Sequence, residues 1–401
     1  MHILLVHQAF AALDEAGGTR HHELARFLVK RGHRVTIIAS PVSYLTGKEN
    51  SHKPNQLPEP GITILRAYTY TALHRSFIHR VVSFVSFMLS SFFLGLRVRQ
   101  VDLVWGTSPP IFQGITAWLL ALLKRVPFLF EVRDLWPAFA IAVGILRNKI
   151  LIRSSLWLER FLYHQADCVM VNSPGYIDHV RQRGARRVEL VQNGADPEMF
   201  EPAVDGHIFR CDYNLQDKFI VLYAGAHGMS NDLGVVLQAA DLLRNEADIC
   251  LVLIGDGKEK TALQARTREM NLPNLIFIPP AAKDEMPAVL AAADACIAIL
   301  LPIELYKTTY PNKVFDYMAA GRPVVLAIDG VIRQVVESAG AGIFVRPGDA
   351  QEMAQAILSM ALEPQKAHQM GLAGRSYIEK HFSRAESAEK LALLLEEMGN
   401  K

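Results

Sequence analysis

ILLVHQAFAALDEAGGTRHHELARFLVKRGHRVTIIA, residues 3–39, sets the class of fold. Ile3-Leu4-Leu5-Val6 is an apolar run of strand length, and a loop follows it to Gly17-Gly18. The spacing predicts a helix over about 19–31, closed by Gly32, and a second strand over 34–39. Strand, glycine loop, helix and strand in this order make a βαβ unit, and such units build parallel sheets. Further strands are expected at 102–105, 128–132, 168–172 and 189–192.

The alternation pauses at Asn193-Gly194-Ala195-Asp196-Pro197, a turn cluster, and polar irregular sequence continues to about Asp217. It restarts with apolar runs at 219–224, 250–255, 275–278, 295–301 and 323–327, as expected of strands buried on both faces. A chain of 401 residues, 50% of them hydrophobic, has material for two cores. The expected architecture is α/β: two doubly wound, Rossmann-like parallel-sheet domains facing a central cleft. The N-terminal domain takes 1–195, a linker 196–217, and the C-terminal domain 218–375. A helical segment at 376–401 is expected to pack back toward the first domain. Ligand belongs beyond the carboxyl ends of the strands.

The net charge of +2 conceals a split. Residues 1–190 hold 23 Lys and Arg against 12 Asp and Glu, whereas 191–401 hold 19 against 28. The N-terminal half either faces something anionic or carries a scatter of solvated arginines. Nucleic acid is a poor fit as that partner and is not expected, because no zinc-finger, RRM or basic-helix pattern accompanies the charge. Anionic lipid headgroups and phosphorylated small molecules fit. One stretch bears on the choice. Residues 81–96 carry no charge and are flanked by Arg75, Arg80, Arg97 and Arg99. Sixteen residues are too few for a ~30 Å hydrocarbon layer. A buried core helix and an interfacial helix with arginines at the headgroups both fit, and 111–123, followed by Lys124-Arg125, would extend the second.

Cys168, Cys211, Cys250 and Cys296 lie far apart, with no CxxC and no Cys/His ligand spacing. That usage suits a reducing cytoplasm. MHILLVHQAF enters a strand with no basic segment before it, so no signal peptide is expected. No Asp-x-Asp occurs, and no Gly-x-Gly-x-x-Gly follows the first strand, which argues against a dinucleotide dehydrogenase.

Chemistry concentrates in YPNKVFDYMAAGRPVV, 310–325. Pro311 suits the first turn of a helix, and helix N-termini present free N–H groups to anions. Lys313 adds a mobile positive charge for phosphate. Asp316, one turn on and near the same face, is placed to accept hydrogen bonds from vicinal ribose hydroxyls. A second cluster, FEVRDLWP at 130–137, puts Glu131, Arg133 and Asp134 at the end of an apolar strand. Asp134 is suited to orient or deprotonate an acceptor hydroxyl, Arg133 to hold a phosphate, and Trp136 to stack on a sugar or pack a hinge. A structural Arg–carboxylate pair is the simpler alternative. Arg20, His21 and His22 follow the Gly17-Gly18 loop; one is expected to face the cleft, and a solvated helix face accounts for at least two.

Taken in order, the Gly17-Gly18 loop, LARFLVKRGHRVTII, FEVRDLWP, VQNGADPEMF, LIGDG, AADACIAIL and NKVFDYMAAGRPVV resemble family 4 glycosyltransferases over nearly the whole chain. The likeness is greatest to bacterial transferases of O-antigen and capsule synthesis, including N-acetylfucosaminyltransferases. It implies the GT-B fold, with its two Rossmann-like domains, a nucleotide-sugar donor, tilted toward UDP, and a lipid-linked, polyprenyl-diphosphate acceptor. It further implies retention of anomeric configuration and a peripheral place on the cytoplasmic face of the cell membrane. With no Asp-x-Asp, no metal and no other cofactor is expected.

Two positions depart from that family. Its Glu-x7-Glu has Asp316 as the second acid and Thr308 in place of the first, and its Gly-Arg…Lys diphosphate clamp is replaced by the sequence of Gly225 to Gly234. Donor binding is then assigned to Lys313 and Asn312, to Asp316, to the turns of Gly17, Gly18, Gly225, Gly255 and Gly257, and to Lys258 or His227. The turn at 275–282 borders the nucleobase in relatives. Asp134, Arg133 and Asp316 are the expected catalytic residues; Glu131, Trp136 and His21 form the acceptor side. A soluble small-acceptor transferase, a UDP-sugar epimerase and an inactive nucleotide-sugar-binding subunit are the competing readings.

Overall fold

The computed structural model describes residues 1–400 apart from 44–45, 48, 50–58, 72–76 and 202–203, with the backbone alone at 77–78. Arg75, one of the arginines flanking the apolar stretch, lies outside the described residues. Two compact units share the chain: Met1–Gln192 with Ala385–Lys401, and Asn193–Arg384.

The first unit holds seven parallel strands: β1 (His2–Val6), β2 (Arg34–Ala39), β3 (Ile62–Arg66), β4 (Leu103–Ser108), β5 (Phe128–Val132), β6 (Cys168–Val171) and β7 (Val188–Leu190). Their order is β3-β2-β1-β4-β5-β6-β7. The second unit holds six: β8 (Phe219–Ala224), β9 (Ile249–Ile254), β10 (Leu275–Ile278), β11 (Ala295–Ile299), β12 (Val324–Ala327) and β13 (Gly342–Phe344), in the order β10-β9-β8-β11-β12-β13. Both expected Rossmann-like sheets are present. Two strands had no signal in the sequence, β3 and β13. Both lie at sheet edges and are only partly buried, so the continuous apolar run of a central strand is not required of them.

Helices cover both faces of the first sheet. On one face Ile3 and Leu5 pack with Leu24 and Leu28 of the helix Arg20–Lys30 and with Leu391 and Leu395 of the helix Arg384–Gly399. Leu391 and Leu395 are both fully buried, and each such side chain contributes about 1.5–3 kcal/mol. The exposed pairs of Arg31 with Glu389 and Glu396 on the same helix are solvent-screened and secondary to that burial. On the other face Gly106 sits against Ala117, and Gly114 against Phe130 and Leu162. This brings the helices Phe112–Lys124 and Lys149–Gln165 close to the sheet.

Residues 196–217, read as a linker, carry the helix His207–Asp212 and bury Phe200 and Leu215 in the core of the second unit. The helix Pro364–His381 also belongs there, with Ile378 and Phe382 in the same core. The chain therefore returns to the first unit at Ala385, later than the position 376 read from the sequence. All four cysteines are free, and burial pushes the thiols of Cys168, Cys250 and Cys296 up, so these three act as small hydrophobes.

Candidate functional site

Each sheet reverses its strand order once, between β1 and β4 in the first unit and between β8 and β11 in the second. Loops leave such neighbours in opposite directions and open a crevice at the carboxyl edge, the ligand position of open α/β sheets.

In the second unit the turns after β8 and β9 are stacked on each other. Gly225 N donates to Ile254 O at 2.9 Å, His227 N to Asp256 O at 2.8 Å and Glu259 N to His227 O at 2.9 Å. Gly255 and Gly257 have φ of 146° and 153°. A Cβ on Gly255 would stand 1.9 Å from the carbonyl oxygen of Gly225, and one on Gly257 2.5 Å from that of His227. These two glycines therefore serve the packing of the turns. Backbone strain of this kind costs of order 1–3 kcal/mol before any clash. Gly255→Ala is expected to lose at least about 2 kcal/mol in urea denaturation. A loss below half of that would show that the two turns separate easily.

Lys313 stands in the first turn of the helix Asn312–Ala319, after Pro311, which caps the helix rather than joining it. Lys313 and Tyr317, one turn apart, face β8. The Tyr317 hydroxyl accepts from Ala224 N at 2.9 Å and contacts Ala224 O at 3.2 Å. The Lys313 ammonium lies 3.9 Å from the centre of the Tyr223 ring. Its Nζ is buried and has no hydrogen-bond acceptor among the described residues. Burial pushes it down to about 7. Gly225 leaves it room, since a Cβ there would come within 2.7 Å of Nζ.

His227 is fully buried beside this group, edge-on to Phe277. Burial first, then the charges of Lys260 and Lys313, push its imidazole down to about 4, so the ring is neutral near pH 7. Lys258 is exposed. The lysine that turns inward is Lys260, whose Nζ donates to Gly255 O at 2.6 Å.

Asp316, on the same helix as Lys313, meets Lys283 and Asn312. Its Oδ2 accepts from Lys283 Nζ at 2.7 Å and from Asn312 Nδ2 at 3.5 Å. Asn312 Oδ1 in turn accepts from Arg384 Nη2 at 3.0 Å. Lys283 went unnoticed in the sequence because no motif marks it and 33 residues separate it from Asp316. Thr308, at the position of the family's first glutamate, donates its hydroxyl to Leu305 O at 2.7 Å.

In the first unit Glu131 and His21 are corrected. Glu131 is fully buried. Its Oε1 accepts from Arg20 Nε at 3.3 Å, and its Oε2 from His21 Nε2 at 2.6 Å and Trp105 Nε1 at 3.2 Å. Burial alone would raise this carboxyl; His21, Arg20 and Arg133 outweigh it and hold Glu131 at about 2. Burial lowers His21 against the pull of Glu131. The carboxylate stays ionised whichever form the imidazole takes, because Arg20 supplies a fixed charge. Arg20 also donates to Val191 O at 2.7 Å and Gln192 O at 3.2 Å. Arg20, His21 and His22 are all buried, contrary to the solvated face expected for at least two of them. The helix start is pressed against the end of β5, so Glu131 and His21 anchor it instead of lining an acceptor surface. His7, whose ring centre lies 4.2 Å from that of His21, joins this cluster.

The groups that do reach solvent are others. Asp134 is exposed. The protein mass around it pushes its carboxyl up, toward about 6, and Arg133 pulls the other way; solvent access moderates the push. Arg133 Nη2 donates to Pro109 O at 2.8 Å. Trp136 is half-buried against Phe112. Gly17 and Gly18 are exposed in the loop after β1, and nothing lies within 4 Å of a Cβ built on Gly18. Among the described residues no three His, Cys, Asp or Glu side chains gather as a metal-ligand set.

Residues 16–194 match the family model described as a glycosyl transferase 4-like domain, and residues 218–362 match the one described as glycosyl transferases group 1. The chain is a GT-B glycosyltransferase. This transferase is similar to WcaI of Escherichia coli (strain K12), named as a colanic acid biosynthesis glycosyl transferase. The two are 25% identical over 358 residues, covering 85% of this chain and 88% of WcaI. Among solved structures, sucrose-phosphate synthase from Thermosynechococcus elongatus aligns with a TM-score of 0.77 at 19% identity, over 99% of this chain and 98% of that one. HepE of Anabaena, solved in complex with UDP-glucose, aligns with a TM-score of 0.74 at 16% identity, over 99% and 100%. At such identities these two structures speak for the fold.

Proposed function

We propose that the transferase takes a UDP-sugar, hexosyl or N-acetylhexosaminyl, and delivers the sugar to a polyprenyl-diphosphate-linked saccharide in surface polysaccharide synthesis. The observation that carries the donor half is the buried Lys313 ammonium at the reversal of the second sheet, over Gly225 and without a hydrogen-bond acceptor among the described residues. A desolvated cation beside a helix N-terminus is suited to a diphosphate leaving group. Asn312 and Asp316 on the same helix are assigned to the donor's remaining polar groups, with Lys283 holding Asp316. Neutral His227 and the Gly225 turn complete that side.

Asp134 is assigned to the acceptor hydroxyl, Arg133 to an acceptor phosphate and Trp136 to the face of a sugar ring. The names of WcaI and the UDP-glucose complex of HepE support the polysaccharide and UDP elements of this reading. We further propose that transfer needs no metal and retains anomeric configuration, with the lysine and the helix N-terminus carrying the leaving-group charge. The enzyme would work from the cytoplasmic face of the cell membrane.

Calorimetric titration with UDP and then GDP, both in EDTA, tests the donor assignment. Micromolar UDP binding with weaker GDP binding is the expected result. No heat with either nucleotide overturns the assignment of Lys313.

A further inference from the structure

The helix Phe77–Arg97 is 21 residues long and apolar. Its side chains divide by direction. Phe84 and Phe87 are buried, and Gly95 sits so close to Leu120 and Ile38 that a Cβ there would meet the Leu120 side chain at 2.5 Å. The helix is therefore packed into the layer over the sheet and is not free to span a bilayer. Val82, Leu89, Phe93 and Leu96, spaced by seven, four and three, are 41–61% exposed. That spacing is one stripe of a helix.

The layer continues the same surface. The Lys124 ammonium donates to Val98 O at 2.6 Å and so ties the end of Phe112–Lys124 to the end of Phe77–Arg97. Leu122 and Leu123, at that end, are 59% and 57% exposed. The third helix, Lys149–Gln165, meets Phe112–Lys124 through Trp118, edge-on to Phe161 at 4.8 Å, and Trp157 stacks on the same Phe161 at 5.3 Å. Trp157 is 64% exposed and Ile150 74%. Aliphatic side chains and a tryptophan in the open, on three packed helices, exceed the scattered apolar residues of an ordinary surface.

Charge says what covers this face. The segments 77–101, 109–130 and 138–165 contain nine Lys and Arg and one carboxylate. That carboxylate, Glu159, is fully buried and held by His179 at 2.9 Å and Arg183 at 2.8 Å. Arg97, Arg99, Arg125, Arg153 and Arg160 are exposed. A second copy of this chain would set like charges against one another. An anionic bilayer supplies both what the leucines and aromatics lack and the counter-charge for the arginines.

We infer that the outer face of these three helices docks on anionic lipid, with Leu89, Phe93, Leu122 and Trp157 entering the headgroup region and the arginines pairing with phosphates. This deepens the proposed function, whose lipid-linked acceptor it rests on for its purpose; the binding itself is testable without turnover.

The test is flotation of the full chain with vesicles of phosphatidylglycerol and phosphatidylcholine, and with phosphatidylcholine alone. The expected result is binding to the anionic vesicles only, weakened by 0.5 M salt, with a blue shift of Trp157 fluorescence that W157F removes. The triple variant Leu89→Ser, Phe93→Ser, Leu122→Ser is expected to lower partition at least tenfold, and Arg97→Glu with Arg153→Glu likewise, while thermal unfolding and UDP binding stay as in the parent. A parent that remains unbound at low salt overturns the inference, as does binding indifferent to these substitutions. Lipid-free dimerisation that the triple variant abolishes would make the face a protein interface and also overturn it. Vesicle binding with no UDP binding would leave the surface standing and sink the donor reading; the reverse outcome sinks the surface alone.

Discussion

Lys313→Ala is expected to weaken UDP binding by about ten- to a hundredfold, the range of a charge-assisted hydrogen bond worth about 1.5–3 kcal/mol. The ammonium is buried over Tyr223 with no acceptor of its own among the described residues, so a diphosphate would be its counter-ion. The pH dependence is the sharper signature. Burial pushes the free ammonium down to about 7, whereas an adjoining dianion favours the charged form and raises it. Between those two values binding takes up a proton, so affinity falls as pH rises from about 7 toward 9. Calorimetry in buffers of different ionisation enthalpy would read that proton directly. Lys313→Met should abolish the uptake and weaken binding to the same extent as Lys313→Ala.

The same group sets a stability trend. Its folded value lies below the ~10.4 of an unfolded lysine, so the unfolded chain binds more protons between about pH 7 and 10, and stability rises with pH through that window. Lys313→Met should be at least as stable as the parent at pH 7. An unchanged UDP affinity, or a variant that unfolds more easily, would remove Lys313 from the donor site and make it a packing residue.

Glu131→Leu is expected to destabilise the first unit by about 3–5 kcal/mol, the cost of breaking a buried ion pair and leaving its partners behind. Arg20 would then be a guanidinium only 7% exposed that has lost the Glu131 carboxylate, and the His21 and Trp105 donors would lose their shared acceptor. Glu131→Gln keeps the shape and two acceptor lone pairs but not the charge, so an intermediate loss is expected. Urea denaturation followed by Trp fluorescence measures both. Glu131 is held at about 2, below the ~4.3 of an unfolded glutamate. Its contribution is therefore present above about pH 4.3 and is lost as pH falls toward 2. The variants should lack that part of the acid limb. UDP binding, assigned to the second unit, should survive in both at temperatures where the chain is folded. A loss under about 1 kcal/mol would mean that the cluster is adventitious and that Leu24 and Leu28 alone seat the helix.

These expectations differ in how far they were visible before the structure. Lys313 was legible as a chemical group because its signal is local: a proline before a helix, a lysine and an aspartate within it, and a glycine that ends it. Glu131 was legible as a chemical group and misread in role, as was His21. The sequence places them 110 residues apart, and nothing near either one names the other. The Gly255 and Gly257 turns were equally plain, yet whether such glycines approach a ligand or another turn depends on what lies above them. Here that is the backbone of Gly225 and His227. The apolar stretch at 81–96 admitted a core helix and an interfacial one, and side-chain exposure shows features of each, with Phe87 buried and Phe93 in the open.

Local pattern was enough for the two parallel sheets and the family likeness, since a buried parallel strand must be apolar along its length and a crossover helix must follow it within a fixed number of residues. Those requirements are written in adjacent residues. Which charge meets which was settled only when sheet order brought β1, β4 and β5 side by side and placed the loop after β10 against the helix Asn312–Ala319. An ion pair is a contact through space, and its strength depends on how much water the surrounding core removes. Both are properties of the packed chain, and periodicity along the sequence encodes neither.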